Sequence, residues 1–153
     1  MSKTLTFLPY LQDLNDPTMR TEAIFIDANV LIDFFVGEAA LREDAERLRR
    51  KSPDWVTLPW CRYEFGNVLR TYIRLGKIDE GSGAEMLRKG VAMLRFCDEC
   101  ADAVVLTEAI ASHLSFYDAA YVARARSMGV RLHTRDGGIL KNCPDIAVPI
   151  SER

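Results

Sequence analysis

The stretch over residues 23–35, AIFIDANVLIDFF, constrains the fold of this chain more than any other. It opens with a short apolar run, Ile24-Phe25-Ile26, which ends at the carboxylate of Asp27. A run this short and this rich in Ile and Phe is typical of a strand buried on both faces of a parallel sheet. Asn29 then stands where a helix N-cap would stand, before an apolar helical segment. Asp27 is therefore expected at the carboxyl end of a strand, where open α/β sheets bind ligands.

The rest of the chain alternates short apolar runs with segments of helical periodicity. Further strands are predicted near residues 55–58, 95–100, 130–134 and 146–150. Helices are predicted over residues 28–36, 38–51, 60–75, 79–94, 101–113 and 116–128, and Gly37, Gly76 and Gly129 are expected to end three of them. A turn at Gly137-Gly138 and a short helical turn at Ile139-Leu140 precede the last strand. This alternation predicts an α/β domain with a parallel sheet and right-handed crossovers.

The length of 153 residues suits one domain, which we place at residues 21–153. Residues 1–20 form an apolar N-terminal extension interrupted by prolines, expected to pack on the domain or on a partner. The net charge of −2 and the pI of about 5.7 exclude nucleic-acid binding through bulk positive charge. Any nucleic-acid contact must therefore be local and helped by metal ions or by a second chain.

The sequence predicts a cytoplasmic protein with no membrane partner. No apolar stretch approaches the roughly 20 residues needed to span a bilayer. The N-terminus lacks the apolar core of a signal peptide. In this setting Cys97 and Cys100, which form a CxxC pair, are best interpreted as reduced structural thiols. A redox pair or a zinc site remains the alternative.

Four acids stand at positions that parallel α/β folds bring to one edge of the sheet. Asp27 and Asp136 follow strands, and Glu64 and Asp118 fall in the first turns of helices. Each alone is also explained as a turn, a cap or a partner of the helix dipole. Held together, the four carboxylates would repel unless they were protonated or neutralised by cations. A ligand set of oxygens alone favours Mg²⁺ or Mn²⁺, which can activate water for hydrolysis of a nucleic-acid backbone.

Four segments resemble, in order, the acidic motifs of the PIN-domain family. They read IDANVLIDFF, YEFGNVLR, SFYDAAYVARA and LHTRDGG, and the resemblance covers roughly residues 23–150. The nearest type is that of the VapC-like toxins of toxin–antitoxin pairs. The resemblance implies a three-layer α/β/α fold around a central parallel sheet. It also implies a metal-dependent endoribonuclease that hydrolyses RNA, a cognate antitoxin and a homodimer.

The resemblance assigns the acids their roles. It makes Asp27, Asp118 and Asp136 metal ligands for Mg²⁺ or Mn²⁺, and Glu64 a ligand directly or through water. The four together form the catalytic set.

Neighbouring positions match less specifically. Thr134 would hold a carboxylate or a water, with a strand-end cap as the alternative. Asn29 is either part of the site or the helix cap, and the cap is the preferred interpretation. Arg135 would contact a substrate phosphate or point to solvent, and Asp33 would face the cleft or, as we prefer, lie on solvated helix surface. His133 is predicted to serve the strand rather than catalysis.

Two other functions compete with the nuclease. A phosphoacceptor signalling domain would need a second acid beside Asp27 and a lysine after a late strand, and the sequence offers neither. A non-catalytic PIN-like module that binds RNA or a protein remains open, although the presence of all four acids argues against it.

Overall fold

The computed structural model describes residues 23–151, so the predicted extension over residues 1–20 lies outside the described residues. The strands are β1 (Ala23–Ile26), β2 (Asp54–Thr57), β3 (Leu94–Phe96), β4 (Leu132–Thr134) and β5 (Ala147–Pro149). The helices are α1 (Ala28–Val36), α2 (Ala39–Lys51), α3 (Cys61–Arg74), α4 (Glu80–Ala92), α5 (Asp102–Ser112), α6 (Phe116–Met128) and α7 (Gly137–Asn142). Strands and helices alternate as predicted. The exception is Gly137-Gly138, which forms the first turn of α7 rather than a separate turn.

The five strands form one parallel sheet in the order β3-β2-β1-β4-β5. The chain first builds outward from β1 through β2 to β3. It then crosses back to place β4 and β5 on the other side of β1. The direction of winding therefore reverses between β1 and β4, which makes the crevice above their carboxyl ends the topological switch point where such sheets bind ligands.

Helices cover both faces of the sheet because successive strand residues point to opposite sides. Phe25 belongs to a core cluster with the residues of α5, α6 and α7. Its neighbour Ile26 belongs to a second cluster, built with α1, α3 and α4. Trp55 and Val56 divide between the two clusters in the same way. The predicted three-layer α/β/α architecture with a central parallel sheet is confirmed.

The predicted helix ends occur, but not all for the predicted reason. Gly76 and Gly129 take left-handed conformations, with φ of +67° and +64°. Gly37 follows α1 with an ordinary φ of −65°. A glycine is needed at position 37 for a different reason: a Cβ there would lie 2.6 Å from the carbonyl oxygen of Asp33. Within residues 23–151, no helix is both long and apolar enough to cross a bilayer.

Candidate active site

The carboxylate of Asp27 lies at the centre of the site, directly after β1. Its backbone N–H continues the β1–β4 ladder by donating to the carbonyl of His133 at 3.1 Å. The residue is only 7% exposed. It is the N-cap of α1, yet its side chain makes no capping hydrogen bond. The Oδ2 atom instead accepts from the Thr134 hydroxyl at 2.8 Å and from the Asn29 amide at 2.9 Å.

The side chain of Asn29 contradicts its preferred interpretation as the helix cap. Asp27 occupies the cap position, and Asn29 lies within the first turn of α1. From there its amide donates to Asp27 and, at 3.1 Å, to Thr134 Oγ1, while its Oδ1 accepts from the Arg135 backbone N–H at 3.3 Å. Asn29 thus links the first acid to the segment that follows β4. Its amide donates through Nδ2 and accepts through Oδ1 in these contacts, so the predicted cap role is wrong.

Glu64 and Asp118 reach the site from the N-terminal turns of α3 and α6. Asp118 is fixed by Ser115, the N-cap of α6. The Ser115 hydroxyl accepts from the Asp118 backbone N–H at 3.1 Å and donates to its Oδ2 at 2.7 Å. One turn further along α6, the Tyr121 hydroxyl donates to Glu64 Oε2 at 3.3 Å. The two helix N-termini are therefore joined across the crevice.

Electrostatic coupling shows that Asp27, Glu64 and Asp118, here called the acidic site, lie together. Burial raises the pKa of Asp27 to about 6; the Thr134 hydrogen bond partly offsets this, and the negative charge of Asp118 adds to it. Burial likewise raises the pKa of Glu64 to about 7, with Asp27 and then Asp118 contributing repulsion. Burial and neighbouring negative charge therefore disfavour ionisation of Asp27 and Glu64, and a bound cation would favour it.

Asp136, the fourth predicted acid, lies at the same edge of the sheet but is used differently. Its Oδ1 accepts from the Ile139 backbone N–H at 2.8 Å and so caps α7. Its own backbone N–H donates to Thr134 Oγ1 at 3.0 Å. Its charge and that of Asp27 both raise the pKa of Arg135, after the larger effect of the Asp33 hydrogen bond. The structure therefore places Asp136 beside the acidic site, with one carboxylate oxygen already engaged.

The donors of the acidic site fit a hard divalent cation chemically. All are oxygens, as Mg²⁺ and Mn²⁺ prefer. Among residues 23–151, no group of three or more His, Cys, Asp or Glu side chains is arranged to hold a metal ion by itself. A Mg²⁺ ion commonly takes only one or two carboxylates and completes its shell with water and substrate phosphate. The arrangement suits an ion of that kind, which needs substrate and water to fill its coordination sphere.

An ion pair next to the acidic site corrects the expectation for Asp33. Asp33 was expected on solvated helix surface, yet it is 1% exposed. Its carboxylate accepts from Nε of Arg135, which was expected either at a phosphate or in solvent. The sequence offered one signal for this pair: Asp33 lies one helical turn after Asn29, on the same face of α1.

The remaining predicted residues play structural parts. His133 lies within β4, as predicted, and burial lowers its pKa to about 4, with the Arg131 charge adding to the effect. All four cysteines are free thiols. Cys97 is buried, and burial raises its pKa. Cys100 is half-buried and its thiol contacts the Ser127 hydroxyl at 3.8 Å.

The site and the fold define a class of protein that comparison with known families identifies. The model of the PIN domain matches residues 24–143 of this chain. The chain therefore belongs to the PIN-domain family, as the sequence motifs predicted.

Within this family the chain is similar to VapC proteins of Pyrobaculum aerophilum. It is 29% identical to Ribonuclease VapC3 over 132 residues, which cover 82% of this chain and 98% of that protein. It is 35% identical to Exonuclease VapC9 over 78 residues, which cover 51% of this chain and 59% of that protein. The predicted resemblance to the VapC type is confirmed.

Solved structures agree on the fold. The crystal structure of PAE2754 from Pyrobaculum aerophilum superposes with a TM-score of 0.68 at 28% identity, covering 86% of this chain and 91% of that one. A toxin–antitoxin complex from Klebsiella pneumoniae superposes with a TM-score of 0.63, covering 85% of this chain and 99% of the other. Because the second identity is only 19%, that likeness concerns the fold alone.

Proposed function

We propose that this chain is an endoribonuclease of the VapC type, which hydrolyses RNA phosphodiester bonds with the help of Mg²⁺ or Mn²⁺. The single observation that carries the proposal is the acidic site. Three coupled carboxylates from β1, α3 and α6 lie at the switch point of the sheet, and burial and mutual repulsion raise the pKa of two of them. The ribonuclease name of VapC3, a relative matched over 98% of its length, supports the same activity.

In this proposal the acids bind the ion, and neutral side chains beside them fix their orientation. Asp27, Asp118 and Asp136 would hold the ion, and Glu64 would bind it directly or through water. Because no three side chains within residues 23–151 are arranged to hold an ion by themselves, only one or two of these acids would bind it directly, and water and substrate phosphate would complete its shell. When bound, the ion supplies an activated water and stabilises charge on the phosphodiester. The hydroxyl of Thr134 and the amide of Asn29 fix the orientation of Asp27.

The position of Glu64 is set by a different neighbour. The Tyr121 hydroxyl donates to Oε2 and holds the carboxylate toward Asp27 and Asp118. Arg135, which follows β4, would contact a substrate phosphate, since a planar guanidinium suits that geometry. Together these contacts preorganise the crevice before RNA arrives.

The proposed biological role is that of the toxin of a type II toxin–antitoxin pair in the cytoplasm. Its partners would be the RNA substrate, a cognate antitoxin that blocks the crevice, and a second copy of this chain. The similarity to VapC proteins supports this role.

Cleavage of single-stranded RNA tests the proposal. With Mn²⁺ present, the wild-type protein is expected to cut RNA and to stop when EDTA removes the ion. Asp27→Asn keeps the size of the side chain but removes its charge, so cleavage should fall by about 100-fold or more. Asp98→Asn is the matched control, because Asp98 is exposed and its charge is not among those that shift the pKa of Asp27 or Glu64. It should retain activity within about twofold.

The same assay can contradict the proposal. If the wild-type protein binds RNA but leaves it intact with either Mn²⁺ or Mg²⁺, the chain is a non-catalytic PIN-like module. If Asp27→Asn cleaves as fast as Asp98→Asn, the activity does not come from the acidic site.

A further inference from the structure

The buried carboxylate of Asp33 pairs with one charged side chain within residues 23–151, and that partner, Arg135, is 102 positions away in sequence. Asp33 is 1% exposed, and Nε of Arg135 donates to its Oδ2. Burying the Asp33 carboxylate costs desolvation free energy, which the hydrogen bond and charge of Arg135 offset in part. Since replacing a buried ion pair by apolar side chains is often neutral or stabilising, the pair is weak evidence for a role in stability alone.

The geometry of the pair leaves part of the guanidinium free. Among the hydrogen bonds between residues 23–151, the Arg135 side chain makes one through Nε, and its Nη1 and Nη2 nitrogens make none. The Arg135 side chain is 42% exposed. An arginine presents its donors in a planar fork, so fixing Nε directs the two Nη nitrogens outward.

The Nη1 and Nη2 nitrogens of Arg135 belong to a side chain that lies next to the acidic site. The backbone N–H of Arg135 donates to Asn29, whose amide binds Asp27. The charges of Asp27 and Asp136 both act on the guanidinium and raise its pKa. A phosphate brought to the acidic site would therefore meet two guanidinium N–H groups that no described residue occupies.

We propose that Asp33 is a positioning residue, which holds Arg135 by Nε so that the two Nη groups bind a backbone phosphate of the RNA beside the acidic site. The inference rests on the proposed function and adds to it the residue that aims the phosphate contact. Asn29 assists from the preceding turn of α1 by holding the Arg135 backbone. A charged but unaimed arginine would bind phosphate less tightly, because it would first have to be ordered.

Binding and cleavage of RNA by three variants test the inference: Arg135→Gln, Asp33→Asn and the double variant. Arg135→Gln should raise KM for single-stranded RNA about fivefold to tenfold and leave kcat within about twofold. Loss of one phosphate contact should also reduce the slope of log affinity against log salt by about 0.7. Asp33→Asn should raise KM in the same direction. The double variant should match Arg135→Gln, because Asp33 acts through Arg135.

Arg131→Gln is the matched control. It removes another exposed positive charge, at the opposite end of β4, where Arg131 donates to the carbonyl of Ala147. It should leave both KM and the salt slope at wild-type values. A merely structural role for Asp33 would lower the melting temperature without changing the salt slope or KM of the folded fraction.

The inference is overturned if Arg135→Gln leaves KM and the salt slope unchanged, or if the double variant is more than about threefold worse than Arg135→Gln. Should Asp33→Asn alone fail to fold, Asp33→Glu, which keeps the charge but displaces it by one methylene, takes its place and should raise KM in the same direction; an unchanged KM would overturn the inference. Binding is also measured in the Asp27→Asn background with fluorescein-labelled RNA. If the wild-type protein shows no metal-dependent cleavage, the proposed function fails, while this binding series still decides the Arg135 contact.

Discussion

The hydroxyl of Thr134 connects more parts of the site than any other small group described here. It donates to Asp27 at 2.8 Å and accepts from the Asn29 amide at 3.1 Å and from the Asp136 backbone N–H at 3.0 Å. The residue is fully buried, with 0% exposure. Its donated hydrogen bond favours the ionised form of Asp27 and so opposes the effect of burial on that pKa. Thr134 therefore favours the ionised form of the first acid, which is the form that a metal ion would bind.

Replacing this hydroxyl should weaken metal binding without changing the shape of the side chain. Thr134→Val removes three hydrogen bonds at once, and a hydrogen bond to a charged group contributes about 1.5–3 kcal/mol. Affinity for Mn²⁺ is expected to fall by about 10- to 100-fold, as measured by titration calorimetry. Thr107→Val, on the exposed face of α5, is the control and should bind Mn²⁺ like the wild-type protein. Equal affinities in the two variants would contradict the role assigned to Thr134.

At the scale of the helices, the N-termini of α3 and α6 deliver acids to the crevice. Glu64 and Asp118 both lie in first turns, where the helix dipole favours negative charge. That placement alone would stabilise each helix. Packing of α3 and α6 against the sheet turns two such local preferences into one site.

The packing of α4 depends on a glycine that helix propensity would disfavour. Gly90 lies near the end of α4, and a Cβ there would come within 2.5 Å of the Phe65 ring and 3.2 Å of the Phe35 ring. Only a residue without a side chain lets α4 approach α3 and α1 this closely. From the sequence, Gly90 lowers the helix propensity of this segment. In the structure, it is the position at which the backbone of α4 packs against the Phe65 and Phe35 rings.

Gly90→Ala separates these two effects. Propensity alone would stabilise the helix by about 1 kcal/mol. Overpacking against two aromatic rings should outweigh this and lower the free energy of unfolding by about 1–3 kcal/mol. Urea denaturation measures the change. Gly66→Ala, within α3, is the control: a Cβ there would lie 3.8 Å from the nearest side chain, that of Leu87, so the change should be neutral or stabilising. A stabilised Gly90→Ala variant would show that the rings yield at little cost.

At the scale of the whole molecule, the acidic site makes the stability of the fold depend on pH. The folded-state pKa values of about 6 for Asp27 and about 7 for Glu64 exceed the ordinary values of 3.8 and 4.5. Between those limits the folded protein holds protons that the unfolded chain has released. These groups therefore contribute stability in acid, and the contribution is lost as pH rises from about 4 to 7. A bound cation would offset the loss by pairing with the ionised carboxylates.

Metal-dependent stabilisation should accordingly depend on pH. At about pH 8, a saturating concentration of Mn²⁺ is expected to raise the melting temperature by about 5 °C or more. At about pH 5, where protons compete for the same oxygens, the shift should be much smaller. Differential scanning fluorimetry with and without Mn²⁺ measures both shifts, and Asp27→Asn should reduce the shift at pH 8. Equal shifts at the two pH values would contradict a carboxylate metal site.

The sequence by itself determined the parallel α/β architecture and the family. It did so because apolar periodicity is local, and because each acidic motif carries its strand or helix with it. It also located Asp27, Glu64, Asp118 and Asp136 at ends of elements that share one edge of the sheet.

Only the tertiary structure decided how those side chains are used. Asn29 binds the first acid instead of capping α1, Asp136 caps α7, and Asp33 is buried against Arg135. The roles of Asn29 and Asp33, and the position of Asp27 relative to β4, depend on hydrogen bonds between residues about 100 positions apart. The Asp136 cap is the exception, because it is local. Hydrogen bonds between such distant residues leave no local pattern, because the same polar residue serves equally well as a cap, a surface group or a ligand until packing chooses its neighbours.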